Sequence, residues 1–288
     1  MQPTGKSMTV GIQGSNGSYS EMGVFEYFAT EHGLSMKIIP SVINFDHSEQ
    51  VCEALANEQI DFSFFPVENS IIGNIDVNMD LLNQYPFYVL GEHYLKIEHC
   101  LLTLPSTRQE EIRTVFSHPA ALEQCRDYLL KSNFKACPAF DTAGAAKTIR
   151  PGEAVIASRR TAELYNLQIV DTNIQKVRNN FTRFFLFCLV NNKPTQLHDY
   201  QDDKTSLAFT IGDGAGSLLR CLEKFAQYGL NLTKLESRPI PDNPFMYTFF
   251  VDLESSLYSE EMQECLKDLK LEAQTIKILG SYPAGRGI

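Results

Sequence analysis

What most constrains this chain is a rhythm. In the first third, "MTVGI" (8–12) reads as a strand, "SEMGVFEYFATEHG" (20–33) as a helix ending at Gly33, and "MKIIP" (36–40) as a strand. "DHSEQVCEALANEQ" (46–59) follows as a helix with Val51, Ala54 and Leu55 on one stripe, then "IDFSFFPV" (60–67) as a strand. A βαβαβ run assembles most naturally as a parallel sheet with right-handed crossovers. The middle third repeats the rhythm: "RTVFSH", the helix "PAALEQCRDYLLKS" (119–132), "FKACPA", the helix "TAGAAKTI" (142–149) and "EAVIAS". Between them, "YPFYVLGEHYLKIEHCLLTLP" (85–105) is long enough to carry the chain into a second lobe, and "VRNNFTRFFLFCLV" (177–190) to bring it back. Two lobes joined this way leave a cleft, and ligands of open α/β sheets sit beyond the strand C-termini.

The rhythm stops at "NNKPTQLHDYQDDK" (191–204), a polar, acidic, Pro-containing linker. The remainder reads as βαββαβ, a ferredoxin-like unit: Leu218, Leu222 and Phe225 share one face of its first helix, and Met262, Cys265 and Leu269 one face of its second. Ser259 caps that second helix, with Glu260 and Glu261 in its first turn. The α/β expectation is therefore a two-lobed domain over 8–192, with lobe one at about 8–86 plus 172–192 and lobe two at about 87–171. A linker at 193–203 and the ferredoxin-like unit at 204–288 follow.

A net charge of -10 argues against nucleic acid or an anionic membrane as partner. The longest apolar run, Phe184–Val190, is too short to span a bilayer, and "MQPTGKSMTVGIQG" enters a strand without a signal-peptide core. Seven cysteines scattered without a CxxC pattern point to reduced thiols in a cytoplasm.

"NNFTRFFLF" (179–187) poses the sharpest chemical question. An apolar strand that holds Thr182 and Arg183 side by side has to find a partner for the guanidinium, in a protein carboxylate or in a ligand. Regular pleating sends the two side chains to opposite faces, so both reach a cleft only through a bend or bulge. Other strand ends carry candidates too. "GIQGSNGSYSEMG" (11–23) starts a helix with Ser18 or Ser20 as cap and could hold an anion on its N–H groups. In "FPVENSIIGNI" (65–75), Glu68 and Asn69 face a cleft or cap a helix. In "FSHPAALEQC" (116–125), Ser117 is placed to cap the next helix, Gln124 lies on one of its faces, and His118 is an acid–base candidate or a structural His. His93 and His99 share a strand face but stand roughly 20 Å apart, too far for one metal ion. "GDGAGSL" (212–218) and "LESRP" (235–239) form a Gly-rich turn and a strand whose Glu236 and Arg238 share a face.

The strings "VENSIIG", "SHPAALEQC", "AVIASRRTAELYNL", "NNFTRF" and "NLTKLESRP", in this order and spacing, resemble the prephenate dehydratase family over essentially the whole chain. The C-terminal unit resembles an ACT regulatory domain. The resemblance implies two lobes like a type II periplasmic binding protein, and loss of water and carbon dioxide from prephenate to give phenylpyruvate. No cofactor or metal is implied. The family's threonine falls on Thr182 with Arg183 beside it, and its substrate-binding positions on Ser18, Asn69, Ser117 and Gln124. An allosteric phenylalanine site falls on Ala215, Gly216, Leu218, Asn231, Leu232, Glu236, Ser237 and Arg238. Pairing into homodimers or homotetramers is implied as well, as is the monofunctional form, since no chorismate mutase bundle precedes the first strand. A decarboxylase that keeps the ring hydroxyl and a non-catalytic amino-acid sensor are the rival readings. Arg183 and the helix starts at Ser18 and Ser117 would hold the two substrate carboxylates, and Thr182 would donate to the departing oxygen.

Overall fold

The computed structural model describes residues 8–29, 39–194, 201–241 and 243–285. In chain order, lobe one opens with β1 (Thr9–Gln13), α1 (Tyr19–Ala29), β2 (Ser41–Phe45), α2 (Ser48–Ala56), β3 (Phe62–Asn69), the short β4 (Gly73–Asn74), α3 (Asp76–Gln84) and β5 (Phe87–Lys96). Lobe two follows as β6 (Cys100–Thr103), β7 (Thr114–Ser117), α4 (Pro119–Gln124), α5 (Arg126–Lys131), β8 (Lys135–Pro138), β9 (Glu153–Ala157), α6 (Arg159–Tyr165) and β10 (Gln168–Thr172). The chain returns through β11 (Phe181–Leu189). It then builds β12 (Lys204–Ile211), α7 (Ser217–Gln227), β13 (Leu232–Pro239), β14 (Tyr247–Leu253), α8 (Glu260–Glu272) and β15 (Ala273–Tyr282).

β1 pairs in parallel with β2 and β3, as the βαβαβ rhythm requires, and β11 runs antiparallel between β3 and β5. The phenylalanines of β3 and β11 make the centre of this sheet. Phe64 stacks on Phe184 with centroids 4.9 Å apart on one face, and Phe65 meets Phe187 edge-on at 5.1 Å on the other. Val24, Tyr27 and Phe28 of α1 cover the first face; Val51, Leu55, Met79 and Leu82 of α2 and α3 cover the second. Each such ring, fully buried, contributes about 1.5–3 kcal/mol. Lobe two has its own sheet, in the order β10-β6-β9-β7-β8, reached through residues 97–99 and left through 173–180.

The C-terminal strands follow the ferredoxin-like order β13-β14-β12-β15, with α7 and α8 packed on one face. Their sheet is continuous with that of lobe one, because β15 pairs with β5 at Gly280 and Val89. A Cβ at Gly280 would run into the Val89 carbonyl, so glycine permits the join. The face without helices lies on lobe one, where Phe250 and Tyr282 enter the same core as Phe185 and Met79.

Several local expectations shift. Of "MKIIP", residues 36–38 lie outside the described residues, and Ile39 and Pro40 are not strand. The strand is the next segment, 41–45, which finds β1 as partner. β5 belongs to the sheet of lobe one, so the chain leaves that lobe after Lys96 and not at residue 87. The helix expected over 119–132 breaks at Cys125 into α4 and α5, and 142–149 holds only a 3₁₀ turn, Gly144–Thr148.

Candidate active site

Between the lobes opens a cleft of about 550 Å³, within the range used for small ligands. Lobe one supplies the start of α1, the end of β3 with its following loop, and one face of β11; lobe two supplies His99, the start of α4, Gln124, Phe140 and Asp141.

Ser18 is the cap of α1. Its Oγ accepts from the Glu21 N–H at 3.3 Å, while the Glu21 carboxylate accepts from the Gly17 N–H at 2.7 Å, a reciprocal arrangement of the capping-box kind. Gly17 has φ +86°, and a Cβ there would press on Thr161. The close approach lets Ser158 and Thr161 of lobe two donate to the Gly17 carbonyl at 2.8 and 2.9 Å. The start of α1 is thereby fastened to the opposite lobe.

A neutral hydrogen-bond network crosses the cleft floor. Asn69 Nδ2 donates to Asn180 Oδ1 at 2.8 Å and to Thr182 Oγ1 at 3.0 Å. Asn69 Oδ1 accepts from the N–H groups of Ile71 and Ile72 at 3.0 and 3.2 Å. Asn180 Nδ2 donates to Gln124 Oε1 at 2.9 Å, and His99 Nε2 lies 3.0 Å from the same oxygen. With Gln124 Oε1 as its partner, His99 Nε2 is the protonated ring nitrogen, and Nδ1 lies 2.9 Å from the Tyr19 hydroxyl, which donates to the Glu98 carbonyl at 2.9 Å. Burial lowers the His99 pKa to about 4, so the ring is neutral near pH 7. Burial also raises the Tyr19 phenol well above its usual value.

The pattern has a directional consequence. Ser18, Gln124 and Thr182 each spend acceptor capacity on protein donors. Among the described residues no protein acceptor takes the Ser18 and Thr182 hydroxyl protons or the Gln124 amide protons, which leaves them to the cleft. Among the described residues the lining holds no Lys or Arg, and its one carboxylate, Asp141, accepts from Ser15 Oγ at 3.0 Å and from the Gly144 N–H.

The prephenate dehydratase family model matches residues 10–192. This chain belongs to the prephenate dehydratase family. The arogenate dehydratase/prephenate dehydratase 2 of Arabidopsis thaliana is 34% identical, over 97% of this chain and 74% of that protein. The bifunctional chorismate mutase/prephenate dehydratase of Enterobacter agglomerans is 32% identical, over 98% and 72%. The fold matches a prephenate dehydratase from Arthrobacter aurescens in complex with L-Phe (TM-score 0.84, 23% identity, 96% of this chain and 90% of that one). A quorum-quenching acylase is also similar in structure (TM-score 0.82, 26% identity, 96% and 98%). The dehydratase is an enzyme of aromatic amino acid biosynthesis, and its family reaction removes water and carbon dioxide from prephenate.

Four of the expected cleft residues, Ser18, Asn69, Gln124 and Thr182, line one cavity in the dehydratase. Arg183 does not join them. β11 keeps its alternation, so Thr182 and Phe184 face the cleft while Arg183 points the other way with Phe185. The register shift beside Arg183 lies on β3, where Val67 is skipped, and it leaves the two faces of β11 unmixed. Arg183 is 4% exposed and bonds Glu92 of β5 at 2.6 Å, Asp252 of β14 at 2.5 Å and the Tyr282 hydroxyl of β15 at 3.2 Å. Burial works against its charge, but Asp252, Tyr282 and Glu92 more than reverse this and raise its pKa well above the usual value. Lys204 completes the cluster at 2.9 Å from Glu92. The guanidinium therefore has its partners on the side away from the cleft.

Ser117 also departs from expectation. It ends β7 pointing inward, and its Oγ donates to the Ile156 carbonyl at 2.7 Å. The cap of α4 is His118, whose Nδ1 accepts from the Ala120 N–H at 3.2 Å; burial lowers its pKa.

The expected effector residues fall into separate settings. Ala215 and Gly216 form the turn before α7, with Gly216 at φ +79°, and Leu218 and Leu232 lean on the core beneath the helices. Asn231 donates to Glu254 at 2.6 Å, Ser237 is exposed, and Glu236 shares with Arg238 the face turned to lobe one. Arg238 grips Asp80 through two bonds at 2.8 and 3.1 Å and Asp76 at 2.6 Å.

His99, Asn180 and Tyr19 complete the network without having been assigned roles in advance. Asn180 stands two residues before Thr182 in the same string, which was a usable signal. His99 gave none, because its partners lie 25 and 80 residues away.

Proposed function

We propose that the cleft converts prephenate to phenylpyruvate with uncharged donors alone, and that Thr182 donates to the departing oxygen. In this step the ring carboxylate leaves as carbon dioxide, and the electrons of its C–C bond enter the ring. The ring C–O bond breaks with its electron pair on oxygen, and a proton from solvent completes the water. Aromatisation supplies the driving force, so the protein has only to orient the dianion and stabilise charge building on the leaving oxygen. The observation that carries this reading is the Asn69 Nδ2–Thr182 Oγ1 bond at 3.0 Å. It occupies the threonine oxygen as an acceptor and turns its proton to the cleft. The first-turn amides of α1, the Ser18 hydroxyl and the Gln124 amide supply the donors for the carboxylates.

Thr182→Val tests it. The near-isosteric change should spare the fold and KM and lower kcat by about 10²–10³, the scale of one lost transition-state donor. Thr182→Ser should retain part of the activity. A valine variant making phenylpyruvate at the wild-type rate removes Thr182 from the mechanism. If the wild-type enzyme leaves prephenate intact but cleaves an N-acyl amide, the chemistry of the acylase relative replaces this reading.

The C-terminal unit is read as an ACT domain that binds phenylalanine through the turn at 214–218 and β13. The L-Phe complex of the structural relative supports this. β13 is a sheet edge with Leu235 45% exposed, which suits a second copy of the chain and a homodimer or homotetramer.

A further inference from the structure

In the β3–β11 register Asn69 stands opposite Thr182, and Glu68 stands opposite Arg183. The first pair faces the cleft. The second faces the C-terminal unit, which holds both of its members: Asp252 lies 2.5 Å from Arg183, and Lys234 of β13 lies 2.8 Å from Glu68. Lys234 also bonds Asn74, which pairs with Glu68 on β4.

We propose that Asp252 and Lys234 are positioning residues that set the Asn69–Thr182 pair from behind, through Glu68 and Arg183. The inference rests on the reading of Thr182 as the donor. Three features of the geometry support it. The cluster is tightly enclosed, with the side chains of Arg183, Glu92 and Asp252 4%, 0% and 5% exposed. The ladder shifts register immediately beyond the pair, where Val67 is skipped before pairing resumes at Phe184 and Pro66, so the regular hydrogen bonding is broken beside it and the ion contacts help fix its place. Finally, Arg183 has a further carboxylate within reach beyond Glu92 and Asp252, since its guanidinium is 3.6 Å from Glu68. Withdrawal of Lys234 frees Glu68 to close on Arg183, and weakening of Asp252 sends Arg183 toward Glu68. Either shift moves the backbone that carries Asn69 and Thr182. Lys234 sits on β13 between Leu232 and Glu236, so a ligand that displaces this strand pulls directly on the cleft.

The test uses the full chain with Asp252→Asn, which keeps the shape and one acceptor, and Lys234→Met. Neither residue lines the cleft. The expected result is a kcat for prephenate lower on the order of tenfold, with KM changed by less than about threefold. Amide hydrogen exchange should quicken at Ile71 and Ile72, whose N–H groups report the place of the Asn69 side chain. Folded variants with wild-type kcat and wild-type exchange at these two amides overturn the proposal. If the wild-type chain does not turn over prephenate, the functional reading fails, and the exchange measurement alone decides the positioning claim. If Asp252→Asn does not fold, Lys234→Met decides, because the Glu68 side chain is 37% exposed and stays hydrated when Lys234 is lost.

Discussion

Thr182 and Arg183 are neighbours on β11, yet their surroundings differ in everything that sets electrostatic strength. On the cleft side, Asn69, Asn180, Gln124, His99 and Thr182 form a chain of neutral groups, each oriented by the next. On the other side, Arg183, Lys204 and Lys234 meet Glu68, Glu92 and Asp252, three charges against three. A guanidinium in the cleft would bind substrate and transition state alike, which lowers KM without speeding the chemistry. A fixed hydroxyl aimed at the leaving oxygen gains strength only as charge develops there. On the proposed mechanism, the ladder keeps its charges on the side of the C-terminal unit and its neutral donors on the side of the chemistry.

Removing charge from the ionic side should give the largest effect. Arg183→Met leaves Glu92 and Asp252 buried with Lys204 alone, and breaking a buried pair in this way costs about 3–5 kcal/mol. Thermal unfolding should show Tm lower by on the order of 10 °C. A change of only a degree or two would mean that the cluster relaxes or hydrates freely.

Adding charge to the neutral side comes next. His99 has a folded pKa of about 4, below the ordinary 6.5. Between those values the unfolded chain binds a proton that the folded chain refuses, so stability is full above pH 6.5 and falls as pH drops toward 4. The loss approaches ~3 kcal/mol. Urea unfolding at a series of pH values should show this acid slope, and His99→Gln should flatten it over the same window. An unchanged slope in the variant assigns the acid sensitivity to other groups.

Asp141 gives the smallest effect. It is the one carboxylate lining the cleft among the described residues, and prephenate enters as a dianion. Asp141→Asn keeps Oδ1 as acceptor for the Gly144 N–H, turns an amide donor to the Ser15 hydroxyl in place of Oδ2, and removes the like charge. It should raise kcat/KM for prephenate by about three- to tenfold, and less for arogenate, whose ammonium offsets the repulsion. Equal changes for both substrates would place Asp141 outside the binding geometry.

Much of this was legible in the sequence, because it depends on local periods. The βαβαβ rhythm, the polar Asn69 at the end of a Phe-rich strand and the opposite facing of Thr182 and Arg183 in a regular strand follow from periods of two or 3.6, while the cap of α1 is narrowed only to Ser18 or Ser20. What stayed hidden depends on long-range register. Local pattern does not separate "MKIIP" from "SVINF" as the second strand, and only the pairing of Ser41 with Thr9 selects the latter. The sequence places the cap of α4 on Ser117, but the inward turn at the end of β7 spends that hydroxyl on Ile156 and leaves the cap to His118. The partners of Arg183 lie 69, 91 and 99 residues away, in another sheet segment and another domain, so sequence could pose the question of its charge without answering it.

Arg183→Lys puts the division of the ladder to its most direct test, through KM for prephenate and Tm measured on the same preparation. An ammonium keeps the charge but loses the fork that joins Glu92, Asp252 and Tyr282. The account predicts a clear fall in Tm and a KM within about threefold of wild type. A large rise in KM with Tm unchanged would place the guanidinium on the substrate and contradict it.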